Sequence, residues 1–182
     1  HAVVEYTAGL IYRDQSGALN EGFADIMGQT SFQYEFGSNT EYQWLIGGQC
    51  YTPSVPGDAL RYMYDPTLDG SSQDYYPGYT GSLDNGGVHW NSGIANLAYV
   101  LAVDGGSHPQ DKSPIVVSGV GIETARSIFY NVLTNYLTPN AKFANARASS
   151  VVVATQAYGA GSPEATTADD CWEAVGVPAT VV

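Results

Sequence analysis

The chain has 182 residues, of which 44% are hydrophobic, and this is enough to bury the core of one globular domain. Its formal net charge of −12, with only six basic residues, excludes the basic patches that bind nucleic acid or anionic membranes, so neither is expected as a partner. The sequence contains no run of about 18 apolar residues, so no membrane span is predicted. We therefore predict a single domain over residues 1–182.

Helical periodicity dominates the predicted secondary structure, which begins with a helix over residues 18–34. Its apolar positions recur at helical spacing, at Leu19, Phe23, Ile26, Met27 and Tyr34. Glu21, Asp25 and Gly28 fall on another side, because each residue turns the helix by about 100°. We expect the apolar side to face the core and Gly28 to let another element come close.

The rest of the chain is predicted as loops followed by four more helices. Residues 37–87 are rich in Gly, Pro, Ser, Asp and Tyr, which indicates long loops with short helices. The later helices are predicted at 94–101, stopping at Gly105, at 122–136 before Pro139, at 141–158, and from Ser162 to near Gly176. Ser162 is the expected cap of the last helix, with Pro163 at its first position. The predicted fold is mainly α, a helical domain of about five helices with long loops.

The chain has two cysteines, Cys50 and Cys171. They are compatible with one disulfide, as in an exported protein, or with two buried free thiols. The sequence leaves both alternatives open, because it does not show whether the two residues are close in space.

The first 28 residues combine the ligand types of a zinc site. His1 supplies an imidazole, Glu21 a carboxylate, and Asp25 a second carboxylate one helical turn later. Zinc binds imidazole nitrogen and carboxylate oxygen, and a catalytic site uses three protein ligands with one position open for water. Without further context, an N-terminal histidine is more often solvated, and two carboxylates four residues apart form a solvated, mildly repulsive face. A bound cation would reverse that repulsion.

Four segments resemble, in this order along the chain, the thermolysin family of secreted zinc metalloendopeptidases: HAVVEYTAGLIYRDQSGALNEGFADIMG, YTPSVPGDALRYMYDP, DNGGVHWNSGIANLAYVLA and CWEAVGV. The resemblance covers essentially the whole chain and implies the C-terminal helical half of the catalytic unit, without the mostly β N-terminal half. His1 matches the second histidine of the family's His-Glu-x-x-His motif. The first histidine and the general-base glutamate would then lie upstream of His1.

The resemblance implies roles around the metal. His1 and Glu21 would be zinc ligands, and Asp25 would orient a zinc-bound imidazole through its second ring nitrogen, as metal-bound histidines generally require. Asn20 would have a similar orienting role. The imidazole that Asp25 orients can belong to the upstream histidine rather than to His1.

The resemblance also implies two hydrogen-bond donors to the oxyanion of the tetrahedral intermediate, His89 and Tyr12. Asp84 would hold His89 in its charged form. Such donors stabilise charge that develops only in the transition state, and one donor is worth about 3–4 kcal/mol. From spacing alone, Asp84 and His89 would be an incidental carboxylate and imidazole in a surface loop.

Three further residues match the family's substrate-binding positions. Arg61 would bind the substrate carbonyl beside the scissile bond, whereas an arginine without this match would be expected in a surface salt bridge. Leu60 and Ile46 would line the pocket for the side chain that follows the cleavage point. This implies a preference for bulky hydrophobic residues there.

Calcium is the point at which the sequence departs from the best-known members of the family. Leu45 and Gly48 stand where acidic ligands of a double-calcium site are expected, so that site is predicted to be lost or reduced. A separate loop site is matched by Tyr51, Thr52, Val55 and Asp58. Hard oxygen ligands suit Ca²⁺, but an ordinary proline-stiffened turn is the alternative.

Two functions are compatible with these observations. The first is part of a secreted, extracellular zinc metalloendopeptidase that cleaves on the N-terminal side of bulky hydrophobic residues; its partners would be a peptide or protein substrate and the N-terminal half of the enzyme. The chain alone is expected to be inactive, because one zinc histidine and the general-base glutamate are missing. The alternative is a stand-alone, non-catalytic helical domain that acts as a folding or protein-interaction module.

Overall fold

The computed structural model describes residues 1–37 and 42–179 and confirms a mainly helical fold. The α-helices are α1 (Ala2–Tyr6), α2 (Asp14–Phe36), α3 (Asp84–Asp104), α4 (Ile122–Asn131), α5 (Phe143–Tyr158) and α6 (Pro163–Ala174). A 3-10 turn spans Pro66–Asp69, and α4 continues into a π-helical turn at Val132–Tyr136. The antiparallel strand pairs are β1 (Leu45–Ile46) with β2 (Arg61–Tyr62), and β3 (Gly106–Ser107) with β4 (Val116–Val117).

The five predicted helices correspond to α2 through α6, and α1 was missed because five residues are too short to show a period. The predicted start of α6 is confirmed: Ser162 Oγ accepts a hydrogen bond of 3.1 Å from the Ala165 N–H, and Pro163 is the first helical residue. The predicted loop region contains β1, β2 and the 3-10 turn; residues 38–41 of it lie outside the described residues. No helix of the described chain is long and apolar enough to cross a membrane.

The core forms where α2, α4 and α6 pack around α3. Most of α3 from Ile94 to Val103 is buried on every side, as expected for a helix in the centre of a domain. Three buried aromatic rings join the helices: Phe129 stacks on Trp172 with centroids 5.8 Å apart and meets Tyr99 edge-on at 5.0 Å. This core fixes α2 and α3 side by side, and both helices carry predicted site residues.

The predicted apolar side of α2 is correct for most of its length. Leu19, Phe23 and Ile26 are fully buried, but Tyr34 is 80% exposed, so its assignment to the core was wrong. The buried face continues through Gln33, which donates a hydrogen bond to the Gln43 carbonyl at 2.8 Å. Tyr34 is therefore turned away from the core by about 100°.

The glycines of α2 that allow close packing are Gly17 and Gly22, and not Gly28. A Cβ atom at Gly22 would lie 2.8 Å from Ala95 Cβ and 3.2 Å from the Ser92 carbonyl oxygen, so α3 approaches the bare backbone of α2 at this point. At Gly28 no atom lies within 4 Å of the same position. Gly22 directly follows Glu21 and lies three residues before Asp25, so the close approach occurs on the part of α2 that carries the carboxylates.

Arg147 joins α5 to α6 and to the segment that follows it. Its guanidinium donates hydrogen bonds to Asp169 at 2.6 Å, to Glu173 at 2.7 Å and to the Val177 carbonyl at 2.6 Å. Burial lowers the pKa of Arg147, but its bonds to the two carboxylates outweigh this effect and raise the pKa overall. The side chain therefore stays charged and holds the C-terminal segment against the core.

The disulfide alternative is wrong for this structure, because both cysteines are free thiols. Cys171 is buried in α6, whereas Cys50 lies exposed in the turn after β1, so the second alternative holds only for Cys171. Burial raises the pKa of the Cys171 thiol well above its usual range.

Candidate active site

His1 and Glu21 lie side by side although they come from different helices. His1 precedes α1 and is exposed, while Glu21 is buried on α2 with 5% of its surface accessible. The distance from His1 Nε2 to Glu21 Oε1 is 3.6 Å. Two ligands of a tetrahedral zinc with bonds of about 2.1 Å would be about 3.4 Å apart. The pair therefore fits the spacing of two zinc ligands.

Asn20 determines which nitrogen of His1 faces Glu21. The Asn20 Nδ2 group donates to the Leu10 carbonyl at 2.9 Å, so its Oδ1 atom is left facing His1 Nδ1 at 3.0 Å. An amide oxygen only accepts, so Nδ1 carries the proton and donates. Nε2 is then the nitrogen that faces Glu21, and in the neutral ring this nitrogen carries the lone pair that a metal requires.

The Tyr12 hydroxyl lies between Glu21 and His89. It donates a short hydrogen bond to Glu21 Oε1 and lies 2.9 Å from His89 Nε2. The single hydroxyl proton is directed to Glu21, so the hydroxyl oxygen faces His89 as an acceptor for an Nε2–H. Desolvation first, and then the hydrogen bond and charge of Glu21, raise the pKa of Tyr12. Tyr12 thus stays protonated as a donor.

His89 is oriented by Asp84 through two contacts. The Asp84 Oδ1 atom lies 2.6 Å from His89 Nδ1, and Oδ2 accepts the His89 backbone N–H at 2.8 Å. A carboxylate without its proton only accepts, so Nδ1 donates to it. Asp84 thus holds the imidazole through Nδ1 and leaves Nε2 facing the Tyr12 hydroxyl.

An unusual first turn of α3 aims Asp84 at His89. Asp84, Asn85, Gly86 and Gly87 all have positive φ, between 51° and 90°. This is the left-handed region, which costs a residue with a Cβ about 1–2 kcal/mol and costs glycine little. The turn folds the chain back so that a carboxylate five residues before His89 reaches its ring. The N-terminal end of α2 packs against it, since a Cβ at Gly86 would lie 3.0 Å from the Asp14 Cα.

Arg61 forms a bidentate ion pair with Asp25. The Arg61 Nε and Nη2 atoms donate to the two carboxylate oxygens at 2.8 and 2.7 Å. Burial lowers the pKa of Arg61, but the bonds to Asp25 and its charge outweigh this effect and raise it. Among the described residues, Asp25 accepts hydrogen bonds from Arg61 and Asn96 and not from His1, so in this structure it orients the guanidinium.

Strands β1 and β2 place the two expected pocket residues next to Arg61. Ile46 is paired with Arg61 in the ladder, and the Leu60 N–H donates to the Ile46 carbonyl at 2.9 Å. Leu60 is 45% exposed and Ile46 is half-buried. The apolar side chains and the guanidinium therefore occupy neighbouring positions of one short ribbon.

The loop that matches a calcium site is organised around Asp58. One oxygen of Asp58 accepts from Thr52 Oγ1 at 2.5 Å, and the other accepts from the Tyr62 hydroxyl at 2.9 Å and the Ala59 N–H at 3.0 Å. These bonds, that of Thr52 first, lower the pKa of Asp58. Tyr51 and Val55 lie exposed in the same turns. Thr52 and Asp58 thus bring two hard oxygen atoms within hydrogen-bond distance of each other.

Asn96 is the residue of this site that sequence reasoning missed. It is 1% exposed on α3 and donates from Nδ2 to Asp25 Oδ2 at 2.9 Å. The available signal was an amide within the apolar run GIANLAYV, where a hydrophobic residue is expected. His108, which matches no functional position, is buried elsewhere against the Asp74 carbonyl at 3.2 Å.

Comparison with known proteins places the chain in a family. Residues 8–177 match the model of the thermolysin metallopeptidase alpha-helical domain. Over 177 residues, 97% of this chain, it is 45% identical to a bacillolysin of Bacillus caldolyticus and to a thermolysin of Alicyclobacillus acidocaldarius, and covers 31% of each. The chain therefore spans about a third of the length of these relatives.

A solved structure gives the same result. The precursor of protealysin, a metalloproteinase from Serratia proteamaculans, matches 98% of this chain and is covered over 55% of its own length, with a TM-score of 0.76 and 33% identity. Sequence and fold agree over nearly the whole chain. The chain thus belongs to the thermolysin metallopeptidase family and corresponds to its alpha-helical domain.

Proposed function

We propose that these residues form one wall of the active site of a secreted zinc metalloendopeptidase. The observation that carries the proposal is the convergence of His1 Nε2, Glu21 Oε1, the Tyr12 hydroxyl and His89 Nε2, with separations of 2.9–3.6 Å between the neighbours His89–Tyr12, His1–Glu21 and His89–Glu21. A nitrogen and a carboxylate suitable for zinc thus lie beside two donors suitable for an oxyanion. Bound zinc supplies the Lewis acidity for peptide hydrolysis.

The residues of this chain divide the remaining work. His1 and Glu21 would hold the metal, and Asn20 would keep His1 in the required tautomer. His89, held by Asp84, and Tyr12 would donate hydrogen bonds to the carbonyl oxygen as negative charge develops on it. His89 and Tyr12 are already hydrogen-bonded to each other, so both need only small shifts to reach one oxygen.

The substrate is proposed to bind along β1 and β2. Arg61, oriented by Asp25, would donate to a backbone carbonyl of the peptide, and a guanidinium already held by two hydrogen bonds loses little conformational entropy on binding. Leu60 and Ile46 would contact a bulky hydrophobic side chain on the C-terminal side of the cleaved bond. This gives the proposed specificity for cleavage before hydrophobic residues.

We further propose that residues 1–182 alone do not hydrolyse peptides. A catalytic zinc site uses three protein ligands, and no group of three His, Cys, Asp or Glu residues within 1–37 and 42–179 is arranged to hold a metal ion. The complementary ligand and the general base would come from the N-terminal half of the enzyme. The Thr52–Asp58 loop is the proposed place for a calcium ion.

The test compares the intact peptidase with the 182-residue chain in zinc content and in cleavage of peptides with Gly, Phe or Leu after the target bond. We expect one zinc per intact molecule, preferred cleavage before Phe and Leu, and loss of activity in the intact Glu21→Gln variant. The 182-residue chain should hold little zinc and show no cleavage. An intact protein without zinc or activity would instead favour the non-catalytic helical module.

A further inference from the structure

We propose that Asn96 is a positioning residue for substrate binding, acting through Asp25 on the guanidinium of Arg61. This proposal rests on the proposed role of Arg61 in holding a peptide carbonyl. Asn96 does not contact the proposed zinc ligands His1 and Glu21, and its side chain is a neutral amide. Its contribution would be to fix the rotation of one carboxylate about its χ angles.

The geometry of Asp25 explains why a third contact matters. Asp25 Oδ2 accepts from Arg61 Nε at 2.8 Å and from Asn96 Nδ2 at 2.9 Å, while Oδ1 accepts from Arg61 Nη2 at 2.7 Å. The pair with Arg61 alone can turn as one unit about the Asp25 side chain. Asn96 connects this unit to a second helix and leaves it one orientation.

The side-chain amide of Asn96 has only one possible orientation. A carboxylate oxygen only accepts, so Nδ2 must face Asp25. The other end, Oδ1, is buried and has no hydrogen-bond partner within the described residues. A buried acceptor without a donor is costly, and an apolar residue of similar size would avoid the cost. The polar residue at this position therefore serves its contact with Asp25 rather than the stability of the core.

The packing of α2 on α3 makes this contact rigid. Gly22 brings the two helices close, with Ala95 directly opposite and Asn96 next in the chain. Asn96 is 1% exposed and Asp25 is 7% exposed, so water does not compete with the hydrogen bond between them. The position of the Arg61 guanidinium is thereby fixed relative to α3, the helix that also carries His89.

The experiment uses Asn96→Leu in the intact peptidase that carries these residues, with Tyr99→Phe as the matched control. Tyr99 is buried on α3 and also makes a polar contact with α2, to Thr30 at 3.0 Å, but it does not contact Asp25. In metal sites, removal of a residue that orients a ligand typically costs 10- to 100-fold in affinity or activity, and we take the lower end for the orientation of Arg61. We expect Asn96→Leu to raise KM about tenfold with kcat changed less than twofold, because Arg61 would bind ground state and transition state alike. Tyr99→Phe should leave KM unchanged.

A double-mutant cycle separates this route from a general loss of stability. In an Arg61→Lys background, Asn96→Leu should raise KM by less than twofold, since the residue that it positions is already altered. A full tenfold effect in that background, an unchanged KM for Asn96→Leu, or equal KM changes for Asn96→Leu and Tyr99→Phe would each overturn the proposal. If Asn96→Leu does not fold, Asn96→Ala is used with the same criteria.

A second readout is independent of catalysis. In the 182-residue chain, the hydrogen exchange of the Arg61 Nε–H is measured by NMR and is expected to become at least tenfold faster in Asn96→Leu or Asn96→Ala. Exchange as slow as in the unchanged chain would overturn the positioning role. Absence of peptidase activity in the intact protein would instead contradict the proposed function, while this exchange measurement would still decide the role of Asn96.

Discussion

Replacement of Gly86 by alanine tests the left-handed turn that aims Asp84 at His89. Gly86 has φ of +90°, and a Cβ there would meet the side chain of Asp14 and lie 3.0 Å from its Cα. The carboxylate of Asp14 is exposed and can swing away, but the backbone of α2 cannot. The turn must then shift by a few tenths of an ångström. Gly161→Ala is the control, because Gly161 has φ of +75° and no atom within 4 Å of the new Cβ.

Both variants place an alanine at positive φ, and only Gly86→Ala also brings its Cβ against Asp14. An alanine at positive φ lowers the free energy of unfolding by roughly 1–2 kcal/mol. Because alanine also lowers the conformational entropy of the unfolded chain, about 0.4–1 kcal/mol of this loss is offset. Gly161→Ala should therefore lose about 0.5–1 kcal/mol of unfolding free energy. Overpacking adds about 1–3 kcal/mol, so Gly86→Ala should lose about 2–4 kcal/mol. With an unfolding entropy of about 0.4 kcal/mol/K for this length, Tm should fall by about 1–3 °C and about 5–10 °C respectively.

Calorimetry on the 182-residue chain gives both Tm values, and kinetics on the intact peptidase give the effect on the proposed chemistry. A shift of about 1 Å in a reacting group can cost 10²-fold, so a displacement of a few tenths of an ångström should lower kcat by roughly tenfold in Gly86→Ala and not in Gly161→Ala. Equal falls in Tm for the two variants would refute the contact argument. An unchanged kcat in a destabilised Gly86→Ala enzyme would refute the link between the turn and His89.

Three other outcomes are expected. Tyr12→Phe should lower kcat of the intact peptidase by roughly 10²-fold with little change in KM, because one oxyanion donor is lost; a change in KM alone would contradict this role. In the folded chain a thiol reagent should label Cys50 and not Cys171, and equal labelling of both thiols would contradict the burial of Cys171. Because burial raises the pKa of Cys171, only the unfolded thiol ionises above about pH 8.5. The free energy of unfolding should therefore fall as the pH rises above that value. Arg147→Met should lower the unfolding free energy by about 2–4 kcal/mol in denaturant titrations, because a buried carbonyl loses its donor while the two carboxylates stay half-exposed; a loss below about 0.5 kcal/mol would show that the contacts contribute little.

Periodicity in the sequence was sufficient for the long helices but not for their details. The apolar stripe of α2 was placed correctly at Leu19, Phe23 and Ile26, since burial of that stripe decides how the helix lies. Tyr34 and Gly28 were misplaced, because which face of a helix meets a neighbour depends on that neighbour's position. Only the fold shows that α3 approaches at Gly22.

The candidate site could be proposed from the sequence through the family resemblance, residue by residue, and its roles remain predictions. The structure brings His1, Glu21, Tyr12 and His89 together, as the resemblance implies. The contacts of Asp25 could not be foreseen, because Asn96 is 71 residues away in the chain and its amide carries no motif. Local patterns report local structure, whereas hydrogen bonds between distant segments depend on how the helices pack.

Residues that contact each other in the site are far apart in the sequence, so the site forms late in folding. Tyr12 and His89 are 77 residues apart, and Asp25 and Asn96 are 71 apart, so each pair forms only after a long loop has closed. Contacts of such high sequence separation are slow to form. A partly folded chain therefore possesses every reactive side chain of this wall but no assembled centre. Docking of α3 on α2 therefore precedes the assembly of this wall, and a change that delays this docking also delays the proposed activity.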